Sequence, residues 1–192
     1  MGRPISRPAA YSYLLGAYLG DGCLMGPRRN QLRITLDNAY PGIIREVADA
    51  MAAVVGRPVS IRPDTGGRNP THVASVWKHW AVFPQHGPGR KHTRPIVLTG
   101  WQRAIVDEHP EAFLRGLIHT DGWRGLNKVT VKGRDYEYPR YQFSNRSDDI
   151  RALFCEYCDR LGIEWRRWGR WHISVARKES VARMDEFVGL KE

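Results

Sequence analysis

The chain has 192 residues, and its 30 Lys and Arg against 20 Asp and Glu give a formal net charge of +10, a balance that favours a polyanionic partner. That length buries a real core as one compact unit of two halves, and it contains no apolar run of the ~20 residues a bilayer span needs. No secretory h-region is seen, and Cys23, Cys155 and Cys158 do not support a disulfide framework, so the cytoplasm is the expected compartment.

The first element is an apolar helix, Leu14-Leu15-Gly16-Ala17-Tyr18-Leu19-Gly20-Asp21-Gly22, entered after Arg7-Pro8 and closing on Asp-Gly. Gly26-Pro27-Arg28-Arg29-Asn30 then turns the chain into Gln31-Leu32-Arg33-Ile34-Thr35-Leu36. Its strict alternation is that of a half-buried strand, with Gln31, Arg33 and Thr35 on the polar face. A helix from Pro41 to Val54 follows, with Ile44, Val47, Met51 and Val54 on one side and Gly56 as its stop. Val59 to Arg62, returning through Thr71 to Trp77, reads as a second hairpin.

Residues 85–108 form a basic linker between an N-terminal half, 1–84, and a C-terminal half, 109–192. The loop from Gln85 to Arg94 lacks the Gly-Lys-Ser/Thr ending of a nucleotide phosphate loop. Its basic side chains, Arg90 and Lys91 among them, suit a clamp on a nucleic-acid backbone. Trp101 to Asp107 reads as a short helix leading into the second half.

There His109-Pro110-Glu111 opens a second apolar helix, Leu114-Arg115-Gly116-Leu117-Ile118-His119-Thr120-Asp121-Gly122, which repeats the first at an offset of one hundred positions. After a turn at Gly133-Arg134-Asp135, the strand Arg140 to Ser144 offers Arg140, Gln142 and Ser144 on its polar face. A helix from Asp148 to Leu161 stops at Gly162, and a hairpin of Glu164 to Arg167 with Trp171 to Ala176 restores the offset, pairing His72 with His172 and Lys78 with Lys178. Cys155-x-x-Cys158 lies in the helix without a second cysteine pair, so no four-ligand zinc site is supported.

Asp21 and Asp121 stand where helices usually carry a cation, because a carboxylate at a helix C-terminus faces unpaired carbonyls and the negative dipole end, at ~0.3–1 kcal/mol. Gly16 and Gly20, with Gly116 and Thr120, lie four apart on one face and would let the two helices approach closely, running parallel. Carboxylates brought within about 4 Å at an effective dielectric of ~20 would repel by ~4 kcal/mol. A divalent cation would remove that conflict.

These paired segments resemble the LAGLIDADG homing endonuclease family in its single-chain form with two motif copies, and the resemblance covers most of the chain. It implies an α+β fold, a pseudo-twofold tandem repeat of an α-β-β-α-β-β unit, with motif helices at the interface and two saddle-forming antiparallel sheets along duplex DNA. It also implies that Asp21 and Asp121 bind Mg²⁺, with Mn²⁺ able to substitute, together with the carbonyls of Gly20 and Thr120. The expected activity is metal-dependent hydrolysis of one phosphodiester per strand of a specific site, leaving 3′ overhangs, by a monomer that does not engage membranes. Lys78 and Lys178, each 57 positions after its motif Asp, are the basic residues expected to assist at the phosphate, with Arg177 a close competitor at the second site. Tyr18 and His119 depart from the family's usual residues without touching the Asp or Gly positions.

Polar residues alternating on strands suit base-edge reading in the major groove. The set nominated for DNA contact is Gln31, Arg33, Thr35, Arg62, Arg140, Gln142, Ser144, Arg166 and Arg170, with Arg90 and Lys91 from the linker. Trp165, Trp168 and Trp171, interleaved with arginines, are assigned to core and rim packing. The competing readings are a non-cleaving DNA-binding regulator on the same scaffold and a maturase that binds intron RNA. A zinc nuclease built on the seven His would need a ligand cluster that their spacing does not show.

Overall fold

The computed structural model describes residues 5–25, 30–63, 70–87 and 89–189. The expected turn at Gly26 to Arg29 lies outside them.

Helix α1, Pro8–Asp21, has Pro at its first position and is apolar all round, with every residue from Tyr11 to Leu19 buried, as befits a helix inside the core rather than on it. It leads directly into β1, Gly22–Met25, which pairs with β2, Gln31–Asp37. Helix α2, Pro41–Val55, is amphipathic and ends at Gly56, whose φ of 79° only glycine adopts at no cost. Strands β3, Ser60–Pro63, and β4, Pro70–Val76, complete an antiparallel sheet of order β1-β2-β4-β3.

A short 3-10 turn at Trp80–Val82 ends the first half, and the linker carries another at Lys91–Thr93, then α3, Gly100–Glu108, which starts with a capping box of Thr99 and Gln102. Helix α4, Pro110–Asp121, repeats α1 and runs into β5, Gly122–Val131, and β6, Arg134–Ser144. The turn between them is Lys132-Gly133, at φ 49° and 75°, one residue earlier than its sequence suggests. Helix α5, Asp148–Arg160, and strands β7, Arg166–Trp168, and β8, His172–Val175, close a second sheet of order β5-β6-β8-β7. The two halves therefore share one strand order.

The α-β-β-α-β-β pattern is exceeded in the second half. Lys178, expected at the end of the last strand, instead opens α6, Lys178–Val188, which buries Val181, Met184 and Val188. Several polar ties hold this helix, among them those of Arg124 and Arg115. Arg124 donates to both oxygens of Asp185 at 2.7 and 2.8 Å, and the Tyr141 hydroxyl donates to the same carboxylate at 2.6 Å. Arg115 of α4 donates to the Val188 carbonyl at 2.9 Å and to both Glu46 oxygens of α2 at 2.5 and 2.7 Å.

The centre of the molecule is the contact of α1 with α4. A Cβ on Gly16 would stand 2.3 Å from the Phe113 carbonyl oxygen, and one on Gly116 would stand 2.1 Å from that of Tyr13. Backbone therefore lies on backbone, and any side chain at either position would wedge the helices apart. Further along, a Cβ on Gly20 would meet Thr120 Oγ1 at 2.0 Å, so the helices are parallel and end side by side. Ser12 Oγ donates to the His109 carbonyl at 2.8 Å, and the Tyr13 hydroxyl bonds His119 Nδ1 at 2.9 Å across the same seam.

Candidate functional site

Because α1 and α4 end together, Asp21 and Asp121 come to one end of the central seam. The Asp121 carboxylate borders a cleft of about 520 Å³ lined also by Gly20, Gly22, Lys91, Arg94 and Asn145. Its Oδ2 accepts from Asn145 Nδ2 at 2.5 Å, and a Cβ on Gly20 would lie 3.4 Å from the same oxygen. Asp21 borders a smaller cleft of about 230 Å³, lined also by Asp37, Tyr40, His119 and Thr120. Each carboxylate thus shares its cleft with the last turn of the other motif helix.

The linker reaches into this centre. Lys91 Nζ donates to the carbonyls of Tyr18 at 2.7 Å and Gly22 at 3.0 Å, and also to that of Gly20. The Gly20 carbonyl belongs to the last turn of α1, where main-chain oxygens lack an intrahelical partner, and that of Tyr18 also accepts from the Gly22 N–H. Burial lowers the Lys91 pKa to about 8, against the upward pull of Asp121 and then Asp21. The loop that delivers it is braced from within: Arg94 donates to the carbonyls of Gln85 at 3.0 Å and Gly89 at 2.8 Å. The Gln85 amide donates to Gln102 Oε1 at 2.7 Å, and Gln102 in turn to the Tyr11 hydroxyl of α1 at 2.8 Å. Lys91, expected to meet a nucleic-acid backbone, is half-buried with its ammonium on main-chain carbonyls of α1 and of Gly22. Arg90 beside it is exposed on the cleft rim.

Two carboxylates with main-chain carbonyls are hard oxygen donors of the kind Mg²⁺ takes. Asp21, Asp121 and the Thr120 carbonyl are donors of that chemistry, with Asp21 and Thr120 on one cleft and Asp121 on the other. Gly20 is the departure, because its carbonyl already accepts from an ammonium. Among the described residues there is no group of three or more His, Cys, Asp or Glu side chains that could hold a metal.

The sheets present matched outer faces. In the first sheet Leu32, Ile34 and Val73 face the helices, and register places Gln31, Arg33, Thr35, His72 and Arg62 on the opposite side. In the second, Tyr141, Phe143 and Ile173 face inward while Arg140, Gln142, Ser144, His172 and Arg166 face outward. Arg170 is exposed in the turn between β7 and β8. The Nε atoms of Arg33 and Arg140 are buried and have no hydrogen-bond partner among the described residues.

Lys78 and Lys178 are exposed and are absent from the linings of both carboxylate clefts. The register gives the reason. Gly22 and Gly122 are level with Val73 and Ile173, so each Lys lies five residues farther along the chain, which by then has left the carboxylates. Trp168, assigned to packing, is instead exposed on the outer face, tilted on His172.

Several side chains at the site were not singled out from the sequence. His72 Nδ1 bonds Thr35 Oγ1 at 3.1 Å, and His172 Nδ1 bonds Ser144 Oγ at 2.6 Å, the same strand-to-strand tie in each half. Their shared offset of one hundred positions was the available signal. Asn145 and Arg146 sit at the end of β6, and only the fold brings them to Asp121.

No protein-family model and no curated protein sequence matches the chain. Solved structures do match its fold. Full-length DUF199/WhiA from Thermatoga maritima superposes with a TM-score of 0.62 at 17% identity, over 97% of this chain and 57% of its own, so this chain spans little more than half of that protein. The homing endonuclease I-WcaI bound to its DNA recognition sequence gives 0.60 at 14% identity, over 97% of this chain and 82% of its own. The homing endonuclease I-DmoI in complex with DNA and Ca gives 0.54 at 13%, over 95% and 91%.

Proposed function

From a chain with the LAGLIDADG fold, whose two motif helices both end on an aspartate, we propose a site-specific double-stranded DNA endonuclease that hydrolyses one phosphodiester per strand and leaves 3′ overhangs. The observation that carries this reading is the convergence of Asp21 and Asp121 at one end of the helix seam, between two sheets with polar, basic outer faces.

In this reading the outer faces read base edges in successive major grooves through Gln31, Arg33, Arg140 and Gln142, while Arg166, Arg170 and Arg90 meet phosphates. Asn145 orients the Asp121 carboxylate through its 2.5 Å bond. Asp21, Asp121 and the Thr120 carbonyl would hold Mg²⁺, which when bound supplies a polarised water and charge for the leaving 3′ oxygen. One chain brings both halves, so it acts as a monomer. No helix among the described residues is long and apolar enough to cross a membrane.

One observation favours a second reading, a DNA-binding regulator that does not cut. Lys91 already places a positive charge between the carboxylates and the Gly20 carbonyl. Selecting duplexes from a random library in Ca²⁺ and then changing to Mg²⁺ separates the two. Specific retention followed by cutting supports the endonuclease, retention without cutting supports the regulator, and failure to retain any duplex overturns both.

A further inference from the structure

The second sheet carries an extension that the first lacks. Strand β8 flanks β6 only from Tyr141 to Ser144, whereas β5 and β6 stay paired out to Val131 and Arg134. The pairs from Leu126–Pro139 to Val131–Arg134 form a free two-stranded arm of six levels, about 20 Å at ~3.3 Å per residue. In the first sheet β1 has four residues, and its whole length lies level with β4.

The arm has two unlike faces. One continues the inward side and, beyond the Leu126–Pro139 pair at its base, is polar, with Lys128 and Glu137 paired at 2.8 Å and Thr130 Oγ1 donating to Asp135 Oδ1 at 2.6 Å. The other continues the outer face of Arg140 and Gln142 and carries Val129, Tyr136 and Tyr138, all exposed, with the tyrosine rings stacked 9° from parallel. Trp123, 45% exposed, joins this stripe by lying over Gly125, where a Cβ would be 2.0 Å from the indole. Exposed apolar surface of this kind on an edge ribbon marks an interaction site.

We infer that this arm reads thymine methyl groups in the major groove, on the flank of the second half only. The inference rests on the duplex-binding reading above. Three features select DNA as the occupant. The stripe is continuous with the outer face of the sheet, the segment 122–144 holds five Lys and Arg against two acidic residues, and a two-stranded ribbon fits the major groove. Apolar and aromatic side chains on such a ribbon match the one apolar feature of that groove, the thymine C5 methyl. The arm's length corresponds to ~6 base pairs at ~3.4 Å each.

The test uses the full chain and a duplex selected in Ca²⁺. Hydroxyl-radical footprinting should show protection running about six base pairs farther from the centre on one side. Replacing thymine by deoxyuridine in that flank should weaken binding about fourfold per methyl, the worth of one buried methylene, and the same replacement in the other flank should not. Tyr136→Ser with Tyr138→Ser, both at exposed positions, should shorten the long flank and abolish the uridine effect while leaving the centre protected. A symmetric footprint, indifference to uridine, or a concentration-dependent dimer that the double variant dissolves would overturn the inference and leave duplex binding standing. Failure to bind any duplex would overturn both.

Discussion

The side-chain nitrogen of Lys91 is bonded to the main-chain oxygen of Gly20, the residue that hands the chain to Asp21. A linker residue some seventy positions away in sequence therefore supplies the positive charge that the end of α1 lacks. Lys91→Met should tighten Ca²⁺ binding by at least about tenfold, because it removes a buried positive charge that interacts with both carboxylates. Titration calorimetry checks this. Unchanged affinity would show that the ammonium and the ion do not contend for one place.

The seam of α1 and α4 sets a second expectation. Gly116→Ala drives a methyl to within 2.1 Å of the Tyr13 carbonyl oxygen, and both backbones are held on every side by core. A loss of about 3 kcal/mol is expected in urea unfolding, at the upper end of overpacking costs. Gly100→Ala, with nothing near the new Cβ, should be neutral or slightly stabilising.

Asp21→Asn keeps the shape of the side chain and removes its charge. Cleavage of the selected duplex should fall at least about a hundredfold, with affinity in a gel-shift assay within a few-fold of the parent. A variant that cuts at full rate would remove Asp21 from the chemistry.

The anchor of α6 is acid-sensitive. The Arg124 guanidinium and then the Tyr141 hydroxyl hold the Asp185 carboxyl below its usual range, against burial. A carboxyl depressed in the folded state lends stability that is fully present above its unfolded value of 3.8 and disappears as pH falls through the lower folded value. Asp185→Asn should therefore cost about 1 kcal/mol at pH 7, a figure reduced by solvent screening because the pair is about a third exposed, and the difference from the parent should vanish in acid. Paired melting curves from pH 7 to pH 2 give the comparison.

The strands with one buried face were legible because burial writes itself into alternation: Leu32, Ile34 and Leu36 against Gln31, Arg33 and Thr35. The motif helices were legible as two copies of one pattern. The repeat also misled. Val181, Met184 and Val188 have helical spacing, yet the first half has no helix there to match, so α6 was missed. The β5–β6 arm is exposed on both faces, which leaves no alternation to read. The carbonyl contacts of Lys91 were invisible for another reason: its partners are main-chain oxygens seventy residues away, and a carbonyl has no sequence signature.

There is one linker, and it serves one side. The cleft at Asp121 has Lys91, Arg94 and Asn145 around it, whereas the cleft at Asp21 has Asp37, Tyr40 and His119. The two strands of a symmetric substrate would accordingly meet chemically unlike surroundings and be severed at unequal speeds. On supercoiled plasmid this inequality would surface as a transient open circle, nicked always in the same strand, before the linear product.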